Sequence, residues 1–196
     1  ADGYASMVEE LRRVEWELPE GFDWLRFHIL GLDSATWRPS PNRRLVVISP
    51  FLRPKALKML ADSSEIPVAV VSRSESFAEL GGAGPFREAY VLHDAAETED
   101  GEDNEGGGLE IGLHAKAYMF QSGQQTHLAV GSANATDAAL IAHSNVEILA
   151  ELAGPTYKVG SVLKFLDPDA DNGLGQYLVP WSGQDVDDVD STAREN

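Results

Sequence analysis

Runs of apolar residues, broken by proline, glycine and polar turns, divide this chain into short elements. Met7, Val8, Leu11 and the stretch from Val14 to Trp16 recur near helical spacing and predict a helix over residues 4–18. Pro19, Gly21, Pro39 and Pro41 then punctuate the chain, so residues 1–42 read as a helical lead-in whose middle, Trp24 to Leu32, packs on the body. From residue 43 the pattern changes. Residues 45–48 are a short apolar run stopped by Pro50, and Pro54 suits the first turn of a helix with Ala56, Leu57, Leu60 and Ala61 as its stripe. Residues 66–71 predict a second buried strand. Ser72 with Glu75 reads as a capping box, and Gly81-Gly82 ends the helix it opens. Residues 89–92 predict a third strand, and 95–110 an exposed acidic loop.

Two alternating runs follow, 113–120 and 126–132, joined by a polar turn at Ser122-Gly123, which is a hairpin signal. Asn134 or Thr136 caps a short helix over 137–142; 145–152 predicts a further strand, 157–166 a helix, and 167–196 an extended acidic tail. Helices alternating with buried strands predict an α/β fold, a mixed β-sheet flanked by helices on both faces, with 43–166 as the body. No internal repeat is visible.

Composition narrows the classes. A chain of 196 residues, 43% hydrophobic, suits one domain with a sizeable core. Cysteine is absent, which excludes a disulfide scaffold, a Cys-ligated zinc site and a thiol nucleophile. No apolar run reaches the roughly 20 residues that span a bilayer, so no membrane partner is expected and the location expected is cytoplasmic. The first residue is Ala rather than Met, which points to a processed or excised piece of a longer protein. The net charge of -17 opposes nucleic-acid binding at first sight. However, segments 97–110 and 185–196 hold 12 of the 32 acids and one of the 15 bases. The remainder is only mildly acidic, at 20 acids against 14 bases.

The chemistry concentrates between Leu113 and Leu152. On a strand over 113–120, His114 and Lys116 project to one side, an imidazole beside an ammonium. The ammonium holds anionic oxygens and the imidazole is a nucleophile. The paired strand ends Gly131-Ser132-Ala133-Asn134, which offers a hydroxyl and an amide on one face, with a glycine that lets backbone or ligand approach. Together these groups form a pocket for one phosphoryl group. Glu147 and Glu151 share a face of the next strand, and Glu151 reads as solvent-facing. His127 and His143 read as surface or core residues. The acidic loop lacks the EF-hand register, and Gly81-Gly82-Ala83-Gly84-Pro85 lacks the Lys and Ser/Thr of a P-loop. Arg43, Arg44, Arg53, Lys55 and Lys58 make the only basic concentration and read as a solubilising surface.

The series His114-x-Lys116, Gly131-Ser132-x-Asn134 and Asn145-Val146-Glu147 resembles the HxK…D…GSxN signature of the phospholipase D superfamily, over residues 43–166. The resemblance implies a phospholipase D-like half-domain and a metal-independent phosphodiesterase, most simply a nuclease, with neither metal nor cofactor. It implies that His114 is the nucleophile or the acid, passing through a phosphohistidine. Lys116, Ser132 and Asn134 hold phosphate oxygens, and Glu147 orients His114. The family's Asp falls on Gln121 here, and the hairpin is longer than usual. His28, His93, His127 and His143 belong to no second HxK. The resemblance therefore implies a homodimer or a second half that supplies the other motif. The alternative is a degenerate member kept as a dimerisation or phosphate- and nucleic-acid-binding module of a larger protein.

Overall fold

The computed structural model describes residues 13–32, 36–93, 113–142, 144–171 and 173–183. The first part of the expected lead-in helix, the acidic loop, His143 and the end of the tail lie outside the described residues. The rest is mixed α/β. Its eight strands form one sheet: β1 (Trp24–Leu30), β2 (Asn42–Ile48), β3 (Ser64–Val71), β4 (Glu88–Leu92), β5 (Ala117–Ser122), β6 (Gln125–Gly131), β7 (Glu147–Pro155) and β8 (Leu178–Pro180). The helices are α1 (Pro54–Ala61), α2 (Ser74–Leu80), α3 (Asp137–Leu140), α4 (Thr156–Val159) and α5 (Val162–Leu166).

Spatial order is β1-β7-β6-β5-β2-β3-β4-β8. β2, β3 and β4 run parallel, and every other neighbouring pair is antiparallel. The parallel part is the β2–α1–β3–α2–β4 crossover series. β2 and β3 end in continuous apolar runs because both faces are covered there, while β4 is half-buried. One face packs Leu45, Val47, Val70, Tyr118 and Phe120 under Leu57, Leu60 and Phe77 of α1 and α2. The other packs Val46, Ile48, Ala69 and Met119 under Val162 of α5. Helices thus lie on both faces of the sheet. The C-cap of α2 is Gly81 at φ 72°, the left-handed turn a glycine supplies most cheaply.

Five expectations need correction. The middle of the lead-in is an edge strand: Trp24–Leu30 pairs antiparallel with β7. Residues 13–19 are not helical. Ser72 does not cap α2. It is buried at the end of β3 and donates to the Ser49 carbonyl at 2.7 Å, while Arg73 occupies the N-cap without a side-chain cap bond. The helix expected over 157–166 is two short helices, because Gly160 sits at φ 100° and Ser161 re-caps the chain by accepting from Lys164 N. The tail also does not simply trail off. Leu178–Pro180 pairs with β4 and closes the second edge. Among the described residues, no helix is long and apolar enough to cross a membrane.

Candidate functional site

The alternating strand directions bring one set of ends together. β2 and β3 finish at Ile48 and Val71, β5 begins at Ala117, β6 finishes at Gly131, β7 begins at Glu147 and β1 finishes at Leu30. The registers Ile48↔Ala117, Ala117↔Val130, Gly131↔Leu149 and Leu30↔Glu147 place all of these at one end of the sheet. His114, Lys116, Ser132, Asn134 and Glu147 all lie there.

His114 and Lys116 precede β5, which begins only at Ala117, so they are carried on an irregular lead rather than on the strand. His114 is exposed. The Lys116 ammonium donates back to the His114 carbonyl at 2.7 Å, which curls this lead on itself. Gly131 N donates to the Lys116 carbonyl at 3.1 Å, joining the lead to the end of β6. A Cβ at Gly131 would lie 1.9 Å from the Ile148 carbonyl oxygen, so only glycine permits this approach of β6 to β7.

Ser132 is held from both sides. Its hydroxyl donates to Glu147 Oε2 at 2.5 Å and accepts from Ile148 N at 3.0 Å, while Ser132 N donates to the Ile148 carbonyl. Glu147, expected to orient His114, therefore orients Ser132 instead. His114 makes no side-chain hydrogen bond among the described residues. Between Ser132 and Asn134, the Ala133 carbonyl accepts from Tyr118 OH at 2.8 Å. Burial first, and the nearby charge of Glu147 second, push the Tyr118 phenol far above its ordinary value and keep it a neutral donor.

Ser49, which belongs to no motif, also lies at this sheet end. It is fully buried just past β2, donates to the Phe51 carbonyl at 2.8 Å and accepts from Ala135 N at 2.9 Å. The same hydroxyl lies 3.4 Å from Asn134 Oδ1. With Oδ1 turned to Ser49, the Asn134 NH2 faces away from it, available to an anionic oxygen. The available signal was a serine closing each buried strand, at Ser49 and Ser72.

A second group was misread. Glu151 is not solvent-facing. It is buried on the same side of β7 as Glu147, between two imidazoles. His28 Nε2 lies 2.7 Å from Oε2, His127 Nδ1 lies 2.9 Å from Oε1, and Trp37 Nε1 donates to Oε2 at 3.2 Å. Burial alone would raise the Glu151 pKa. The hydrogen bonds from His127, Trp37 and His28, with the charge attraction of His28, outweigh it and hold the carboxyl below its ordinary value. An ionised carboxylate only accepts, so both facing imidazole nitrogens carry protons. Trp37 also packs on Tyr118, with ring centroids 5.0 Å apart, which links this group to the 132–134 turn. Among the described residues, no set of three or more His, Asp or Glu side chains is disposed to hold a metal ion.

No protein-family model matches the chain, and no curated protein matches it.

Proposed function

We propose that this chain is a phospholipase D-like phosphodiesterase, a metal-independent nuclease domain that works with a second copy of itself or a second half. One observation carries the reading. Lys116, Gly131, Ser132, Asn134 and Glu147 come from three separate segments, yet are tied to one another or to their neighbours at a single sheet end. The antiparallel pairing of β5, β6 and β7 brings these ends together, and the ammonium, hydroxyl and amide found there are the groups a phosphoryl ligand needs.

In this reading Lys116 and the Asn134 amide hold the non-bridging oxygens, and the Lys116 charge offsets the negative charge that builds at phosphorus. His114 attacks phosphorus, a P–N bond forms, and the P–O bond to the leaving group breaks. The leaving oxygen takes its proton from His114 of a second copy, which then deprotonates water for attack on the phosphohistidine. Glu147 fixes the Ser132 hydroxyl. Ser132 contributes a donor to phosphate only by rotating away from Glu147, and until then presents a lone pair.

The second reading is a degenerate module that binds phosphate or nucleic acid without turning it over. Two observations favour it. Gln121, at the family's Asp position, is buried with Oε1 unpartnered, and among the described residues no side chain bonds to His114. Hydrolysis of bis(4-nitrophenyl) phosphate in EDTA separates the two. The first reading requires turnover that His114→Ala reduces by about 10³-fold or more. A dimer that binds phosphate but gives no turnover establishes the second.

A further inference from the structure

Beside the candidate phosphate pocket, the same sheet end carries an aromatic ring with no place in the mechanism above. Phe51 follows β2 in a loop whose other atoms are tightly held. Its carbonyl accepts from Ser49 Oγ, the hydroxyl that also reaches Asn134 Oδ1. Ser72 Oγ donates to the Ser49 carbonyl and Ser76 Oγ to the Pro50 carbonyl, each at 2.7 Å. The backbone is thus fixed from three sides, while the Phe51 side chain is left 50% exposed. A large apolar ring turned outward from a rigid, buried hydroxyl network loses little entropy when something stacks on it.

The ring is also coupled to His114. The Arg73 guanidinium lies over it, with Cζ 5.2 Å from the ring centroid, and Arg73 Nε donates to the Leu113 carbonyl at 3.1 Å. Leu113 immediately precedes His114. Phe51 is therefore joined to the Asn134 side of the pocket through Ser49 and to the His114 side through Arg73.

We propose that Phe51 and Arg73 form a stacking platform for the nucleobase next to the bound phosphate, which makes the ligand of this site single-stranded nucleic acid. The proposal rests on the phosphate-binding reading of the site. A flat ring bearing a guanidinium, one step from a phosphate pocket, matches the alternation of base and phosphate along an unpaired strand. A duplex hides its base faces, and an acyl chain gains nothing from the guanidinium.

The test uses the full chain and two fluorescent ten-nucleotide strands of equal length and charge, one of thymidines and one of abasic residues. Binding is measured by anisotropy at low salt. The natural chain is expected to bind the thymidine strand about tenfold more tightly. Phe51→Ala is expected to erase that preference and Phe51→Trp to retain it, with circular dichroism confirming that both variants fold. Equal binding of the two strands by the natural chain overturns the platform, as does a preference that survives Phe51→Ala. So does an affinity for anionic vesicles, rather than for the thymidine strand, that falls with Phe51→Ala. Turnover of bis(4-nitrophenyl) phosphate is scored separately. A base preference without turnover leaves the platform standing and removes only the hydrolytic reading; turnover without a base preference does the reverse.

Discussion

Glu151 shows how much one side chain in this sheet depends on its neighbours. Two imidazoles and an indole converge on a carboxylate whose side chain is 11% exposed. Replacing it by Gln keeps the shape but removes the charge that both imidazole N–H groups address. Hydrogen bonds to a charged group are worth about 1.5–3 kcal/mol each in place, so Glu151→Gln is expected to cost about 2–4 kcal/mol at pH 7 after local repacking. The pH dependence follows from the sign of the shift. Because the folded carboxyl titrates below its ordinary value, the stability it supplies is complete above the unfolded value near 4.5 and is lost as pH falls through the lower, folded value. Urea unfolding at pH 7 and at pH 3 checks both points. The natural chain should lose stability between them through this group, whereas the variant, already weakened, should lack that component. An equal acid loss in both proteins would show that Glu151 does not hold its charge in the fold.

At the scale of elements, the close approach of β6 to β7 is a joint that a single methyl group would disturb. Gly131→Ala would press a methyl into the Ile148 carbonyl, a backbone atom with nowhere to go. The strands must part, at a cost of about 3 kcal/mol or more. A thermal melt lowered by roughly 10 °C, with the β-sheet signal otherwise kept, is the expected result. Such elements were only partly legible in the sequence. β2, α1, β3 and β4 were readable because each carries a continuous apolar run or stripe between clear punctuation. β1 was not, because Trp24, Arg26 and His28 face one side and Leu25, Phe27 and Ile29 the other, so both faces carry apolar groups and no period-2 contrast survives. Its partner β7 lies more than a hundred residues away, and local pattern holds no trace of that pairing. Ser72 was mistaken for a cap because a capping box and a buried strand-end hydroxyl look identical in sequence. At the site, residue types and order were legible, but pairing was not. Glu147 meets Ser132 rather than His114 because β7 begins directly beside the end of β6, while His114 lies back along the lead into β5. Ser49 and Phe51 carried no motif at all.

For the whole molecule, the decisive quantity is how many copies make one site. Each chain offers a single HxK segment, and the proposed chemistry needs two imidazoles on opposite sides of one phosphorus. If two chains share a site about a twofold axis, each His114 is indispensable to the other, and one damaged chain silences its partner. Independent chains behave differently, since each then contributes according to its own fraction. Refolding natural chain together with His114→Ala from denaturant randomises the pairs. At equal amounts, a shared site should leave about a quarter of the activity of the same total of natural chain, because only pairs with both imidazoles work, whereas self-sufficient chains should leave about half. Activity plotted against the fraction of natural chain is therefore expected to follow a parabola. Sedimentation equilibrium at the assay concentration must show dimers for that curve to mean a shared site. A straight line would place the second proton donor within one chain, and His28, His93, His127 and His143 would then be the groups to replace in turn.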